Sequence, residues 1–114
     1  EVFHLDLEST LHADIKADYI FLVQVLLHVK DIEPLLSNLY KSLNKNGHLL
    51  IVDFDYNEAI VSDSVHNGFK QKQLIETMEK VGFVDSSMDT FYHGRNIFMN
   101  KDASLFLLDA IKAV

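Results

Sequence analysis

The sequence predicts an α/β fold, a sheet carrying parallel strands with helices packed against it. Three observations predict it: the continuous apolar runs Tyr19-Ile20-Phe21-Leu22-Val23 and Leu49-Leu50-Ile51-Val52, and between them a helical stripe of Leu35, Leu36, Leu39, Tyr40 and Leu43. Continuous hydrophobicity, as opposed to alternation, is what a parallel strand buried on both faces requires. Strand, helix and strand in that order form a crossover unit, and a right-handed crossover sets both strands parallel in one sheet. The 114 residues are enough for one domain with its own core and too few for two.

Each element has its own local signal. Val2 to Leu7 is apolar-leaning and predicts a short strand ending at Asp6-Leu7-Glu8, after which Leu11 to Ala17 reads as loop or a single helical turn. Beyond the first buried run, Asp31 is a good helix N-cap, with Glu33 and Pro34 suited to the first turn. Asn44-Lys45-Asn46-Gly47 predicts the end of that helix, with Gly47 free to take a positive φ. The second buried run then ends at Asp53-Phe54-Asp55, and Tyr56 to Asn67, having no period, predicts a loop with room for one helical turn.

From Gln71, the positions Leu74, Ile75, Met78 and Val81 mark a second helix, closed by Gly82 with apolar Phe83 beyond it. Val84 to Tyr92 alternates loosely and suits a strand, and His93-Gly94 is a turn signal. Ser104 to Lys112 fits a buried strand and a helical face equally well, because periodicity alone does not separate the two for so short a run.

Composition narrows the function classes. Seventeen acidic residues against ten basic ones leave a net charge of −7, and no run of Lys or Arg offers a groove for phosphates. Such a surface repels nucleic acid, so none is expected as a partner. The longest nearly apolar stretch, Tyr19 to Val29, is 11 residues and contains Gln24 and His28. A membrane helix needs about 20, so no membrane partner is expected. No basic-then-apolar leader opens the sequence, and a cytoplasmic location is expected. With no cysteine, a disulfide framework, a zinc-thiolate site and a cysteine nucleophile are excluded.

In open α/β sheets, ligands sit outside the carboxyl ends of the strands, which directs attention to Asp6-Leu7, Val23-Gln24-Val25 and Asp53-Phe54-Asp55. The glycines Gly47, Gly68, Gly82 and Gly94 lie at least 12 residues apart, so neither GxGxxG nor GxxxxGK[ST] exists. No two of the six histidines stand at i, i+3 or i, i+4, and no metal site is expected. No GxSxG elbow follows a strand. What remains is modest. Asp6 and Asp53 fit two roles equally, accepting hydrogen bonds from a ligand or solubilising an exposed strand end. His28 fits a satisfied, half-buried histidine better than a general base, and Tyr56 could lean over a ligand or simply pack.

Taken in order, Ala17-Asp18-Tyr19-Ile20-Phe21, Val25-Leu26-Leu27-His28-Val29-Lys30-Asp31 and Leu43-Asn44-Lys45-Asn46-Gly47-His48-Leu49-Leu50-Ile51-Val52-Asp53 resemble the second half of a class I S-adenosylmethionine-dependent methyltransferase. His66-Asn67-Gly68-Phe69 and Val81-Gly82-Phe83 are similar to that family's later "H-x-GF … aGF" signature, and Ser104 to Lys112 to its last strand. Two departures are minor: Leu27 stands where the family often has the first of two histidines, and Asn46 precedes a single Gly47. The larger departure is that the family's glycine-rich cofactor loop and the acidic residue for the ribose are not in this sequence.

The resemblance implies a carboxy-terminal portion of the domain, residues 1–114, with 1–17 poorly ordered and residues 2–7 matching the family's third strand. It implies the C-terminal half of a Rossmann-like sheet, in family order 4-5-7-6 with the last strand antiparallel, flanked by helices. It also implies S-adenosyl-L-methionine as cofactor: Asp6 on the adenine amino group, Leu7 beside the ring, Leu22 and Val23 along the methionine part with Gln24 adjacent. His28, Tyr56 and His66 would face a small-molecule methyl acceptor. The chemistry implied is in-line displacement at the sulfonium methyl, where the protein mainly supplies orientation. Without the glycine loop, this chain alone is expected to be inactive, and the uncovered apolar strand at Tyr19 to Val25 is expected to drive self-association. The alternative reading is a noncatalytic α/β interaction or dimerisation module.

Overall fold

The computed structural model describes residues 16–57, 60, 67–98 and 101–113. In chain order the elements are strand β1 (Ala17–Val23), a short 3-10 turn (Leu26–His28), helix α1 (Ile32–Ser42), strand β2 (Leu43–Phe54), helix α2 (Gln71–Val81), strand β3 (Val84–Phe98) and strand β4 (Lys101–Ile111). The four strands form one sheet in the order β1-β2-β4-β3. β1 and β2 are parallel, and β4 runs antiparallel to both of its neighbours. Counting β1 as the family's fourth strand, this is the expected order 4-5-7-6, and Ser104 to Lys112 resolves as strand. The expected strand at residues 2–7 lies outside the described residues.

α1 begins and α2 begins and ends where the sequence predicts, whereas α1 stops at Ser42, one residue before Leu43, which opens β2 instead of extending the helical stripe. Asp31 caps α1, its Oδ1 accepting from the Glu33 N–H at 3.3 Å. Leu35, Leu36 and Leu39 form the buried stripe. At the far end of α1, Lys112 Nζ donates to the carbonyls of Tyr40 (2.9 Å) and Leu43 (3.0 Å). A lysine just past β4 thereby brings a charged donor to the helix terminus, on the side its dipole favours, adding to the Leu43 N–H that the Tyr40 carbonyl already accepts. α2 ends in a Schellman arrangement: Gly82 N–H reaches Glu79 O at 3.1 Å and Phe83 N–H reaches Met78 O at 3.0 Å. Phe83 then packs edge-on against Tyr40 of α1, ring centroids 5.0 Å apart, which ties the two helices together.

One face of the sheet carries the core. Leu22, Leu49, Ile51, Phe106, Leu108 and Ala110 point into it and meet Leu35, Leu36 and Leu39 of α1 and Leu74 and Met78 of α2. Both helices lie on this face, and along β1 the other one is open among the described residues: Tyr19, Phe21 and Val23 are 60%, 66% and 60% exposed. The continuous apolar run of β1 predicts burial on both sides, and here only one side is covered.

Two local expectations need correction. Asn44 to Gly47 do not form a connecting turn; they are the irregular beginning of β2, which pairs with β1 from Ala17↔Leu43 and again from Tyr19↔His48. Asn46, not Gly47, takes the left-handed conformation (φ 65). Gly47 is needed for a different reason, since a Cβ there would lie 2.8 Å from the Asn44 carbonyl oxygen. The second correction is His93-Gly94, which continues β3 instead of turning. His93 pairs with Ser104 and Gly94 with Ala103, and β3 runs on to Phe98, whose ring stacks on Phe54 at 4.2 Å. Cross-strand pairing outweighs the local turn preference.

Candidate functional site

The carboxyl ends of the parallel strands β1 and β2 share one rim of the sheet. The last ladder bond between them runs from Gln24 N–H to Val52 O at 2.7 Å. Gln24 then takes φ 54 and turns the chain out of the sheet, into the turn closed by His28 N–H to Val25 O and Val29 N–H to Leu26 O, both 3.0 Å. Leu26 and Leu27 plug this turn into the core, while His28 is exposed.

Beneath the turn sits Asp53, with none of its surface open to solvent. Its Oδ1 accepts from Phe54 N–H at 2.8 Å, and its Oδ2 from Leu27 N–H at 3.3 Å, across from β2 to the turn. Burial pushes its carboxyl up to about 6, against the opposing pull of the Phe54, Leu27 and Leu26 N–H groups and of His28. Neither expected role for Asp53 survives. It is not at an exposed strand end, and its oxygens are occupied by backbone donors instead of facing a ligand.

Two residues on, Asp55 anchors a closed polar triad. Thr90 Oγ1 donates to Asp55 Oδ2 at 2.7 Å, and Gln71 Nε2 donates to Asp55 Oδ1 at 2.8 Å and to Thr90 Oγ1 at 3.0 Å. The end of β2, the start of α2 and the middle of β3 are joined there. Alongside, Asp55 bridges to Phe69: Phe69 N–H donates to Phe54 O at 3.0 Å and Tyr56 N–H to Phe69 O at 3.1 Å. This pairing sets Lys70 Nζ 4.8 Å over the Tyr56 ring. Between the two helices' first turns opens a cavity of about 410 Å³, lined by Ile32, Tyr56, Phe69, Lys70, Gln73 and Thr77 among others. A volume of that order suits a small organic molecule, with apolar walls and a few polar groups to orient it.

The predicted site residues fall into three groups. Val23, Gln24 and His28 stand exposed along the rim of β1, and Tyr56, 41% exposed, stands on the cavity. Leu22 is at the same strand end, but its side chain goes into the core opposite Ile51. Asp6, Leu7 and His66 lie outside the described residues. The Asp55–Thr90–Gln71 triad and Lys70 had no signal in the sequence beyond Asp55's place at a strand end, because their partners are 14 to 35 residues apart. Among the described residues no three His, Asp or Glu side chains converge as metal ligands, and no helix is long and apolar enough to cross a membrane.

Comparison with known proteins gives three kinds of match. A family model described as "Methyltransferase domain" matches residues 2–88. Over 54 residues, 47% of this chain, the sequence is 41% identical to Probable polyketide synthase 13 of Dictyostelium discoideum, and it spans 2% of that protein. Phosphoethanolamine N-methyltransferase 2 of Haemonchus contortus, solved with S-adenosyl-L-methionine, superposes with a TM-score of 0.65 at 17% identity. The superposition covers 85% of this chain and 33% of that one. A SAM-dependent methyltransferase from Archaeoglobus fulgidus superposes at 0.67 and 14% identity, covering 93% of this chain and 63% of that one. At such identities the superpositions establish the fold, and the chain spans only part of each relative.

Proposed function

The chain belongs to the methyltransferase-domain family, and on that premise we propose that it forms the acceptor-side half of a site at which S-adenosylmethionine gives its methyl group to a small molecule. The family match over residues 2–88 carries this reading. The residues present fit one end of the cofactor: Val23 offers an exposed apolar side chain and Gln24 an amide at the open end of β1, along what would be the methionine part. Asp6 and Leu7, by family resemblance, would take the adenine. When bound, S-adenosylmethionine supplies an electrophilic methyl carbon on sulfonium.

This chain's own contribution is orientation. Tyr56, Lys70, Gln73 and Thr77 line the cavity with groups that would position an acceptor, and Ile32 and Phe69 add apolar surface to it. A base is needed only where the acceptor must lose a proton, and His28 is the exposed imidazole nearest the strand end in sequence. A small-molecule acceptor agrees with the size of the cavity and with the H. contortus relative, whose name gives phosphoethanolamine as its substrate. The sequence holds no glycine-rich loop, so the isolated chain should grip the cofactor weakly and be inactive by itself.

Titration of the 114-residue chain with S-adenosylhomocysteine, followed by two-dimensional NMR, tests this. The expected result is saturable shifts at the Val23 and Gln24 amides, with a dissociation constant on the order of millimolar, near −4 kcal/mol. No shift at several millimolar, or shifts confined to another surface, would overturn it.

The exposed row Tyr19, Phe21 and Val23 on β1, the edge strand among the described residues, favours a second reading, in which the sheet docks onto another copy of the chain. Sedimentation then finds a concentration-dependent dimer that Phe21→Lys reduces to monomer. A monomer at all concentrations for both chains removes this reading.

A further inference from the structure

Asp53 is the one buried carboxyl among the described residues, and the reading above makes no use of it. Its position is unusual for an acid. It sits on β2 with its two oxygens divided between its own strand and the neighbouring turn, Oδ1 on Phe54 N–H and Oδ2 on Leu27 N–H. The turn it holds starts at Gln24, on the rim of β1, and leads through His28 to Ile32, on the wall of the cavity. We propose that Asp53 is a positioning residue, a latch whose carboxyl ties the turn Val25–His28 down on β2 and so sets Gln24 and His28 relative to the cavity. Its part in methyl transfer rests on the function proposed above; the latch itself does not.

Linkage fixes the sign of the proton dependence. Opening the turn removes Leu26 and Leu27 from over Asp53 and lets water reach the carboxyl. The closed turn holds the proton at the raised value of about 6, while the opened, hydrated carboxyl returns toward 3.8. The closed form is therefore favoured at low pH and loses ground as pH rises through 6. Among the described residues, the groups facing Asp53 are few. His28 on the turn favours the ionised form, Asp55 two residues along β2 is occupied by Gln71 and Thr90, and β4 presents apolar Phe106 at the paired position.

The test is amide exchange on the 114-residue chain, read by NMR between pH 5 and 7, with aspartate labelled at 13Cγ. The Asp53 carboxyl should titrate near 6. The Leu27 amide should exchange faster than that of Leu49 in the sheet centre, showing a local opening. Its rate should rise about tenfold beyond the intrinsic base-catalysed increase over this range. In Asp53→Asn this excess should vanish. Three results would each overturn the proposal: an Asp53 carboxyl titrating near 4, Leu27 exchanging only as fast as Leu49, or an excess that survives Asp53→Asn. Should the variant fail to fold, the first two remain decisive on the native chain. No readout involves the cofactor, so a chain that ignores S-adenosylhomocysteine yet shows this profile loses the proposed function and keeps the latch.

Discussion

Gly68→Ala should destabilise the protein by about 3 kcal/mol and lower its Tm by more than about 10 °C. Two causes act together. Gly68 has φ +91, a conformation that side-chain-bearing residues rarely adopt. A Cβ there would also collide with the Asp55 carbonyl oxygen and stand 2.8 Å from Tyr56 Cα, which are backbone atoms in a paired segment and have little freedom to retreat. Relief requires breaking the Asp55↔Phe69 bridge, and with it the bonds that place Tyr56 and Phe69 beside the cavity. Gly94→Ala is the matched control: its φ is not positive, and the three atoms nearest the added methyl belong to the side chains of Ile97 and Tyr92, not to backbone. It should cost about 1 kcal/mol or less. Thermal unfolding of the two variants checks both, and a Gly68→Ala chain melting within about 3 °C of the native one would remove the steric argument.

The same glycine shows what a sequence reveals and what it hides. Elements governed by neighbours in sequence were legible. Asp31 caps α1, Gly82-Phe83 closes α2, and the Leu35, Leu36 and Leu39 stripe faces the core, because each depends on residues within one helical turn. The strand order followed from the resemblance to a methyltransferase half-sheet. Features set by distant pairing were not legible. His93-Gly94 carries the chemistry of a turn, yet Ser104 and Ala103 hold it in a ladder. Lys112 reaches back to the end of a helix 69 to 72 residues earlier.

The candidate site divides along the same line. The rim residues Val23 and Gln24 could be named from their place at a strand end, where ligands of such sheets collect, and Tyr56 as an amphipathic loop residue. The Asp55–Thr90–Gln71 triad could not, because it needs three elements to converge. Asp53 and Asp55 are both acids at the end of one strand. What separates them is that Leu26 and Leu27 fold over the first and not the second, which depends on where the turn after β1 comes to rest.

That burial should dominate the pH dependence of global stability. Asp53 has its folded value raised from 3.8 to about 6, so the folded state binds its proton more tightly than the unfolded chain does. Below about pH 4 the carboxyl is protonated in both states and its contribution to stability is fully present. As pH rises the unfolded chain ionises first and gains the advantage, and above about 6 the contribution is lost, about 3 kcal/mol in all. This runs against the ordinary acid-denaturation pattern, in which carboxylates that are ion-paired when folded make proteins more stable as pH rises. The net charge of −7 reinforces the trend, since self-repulsion grows as acids ionise. Urea unfolding between pH 4.5 and 7 should give a midpoint that falls with pH. Asp53→Asn should flatten most of that slope, because the amide occupies the same space with no proton to lose. The amide also sets one N–H donor against another, at Leu27 or at Phe54, so the variant should be less stable than the native chain at pH 4.5 and approach it at pH 7. Parallel slopes for the two chains would mean that the buried carboxyl is not what couples this fold to protons.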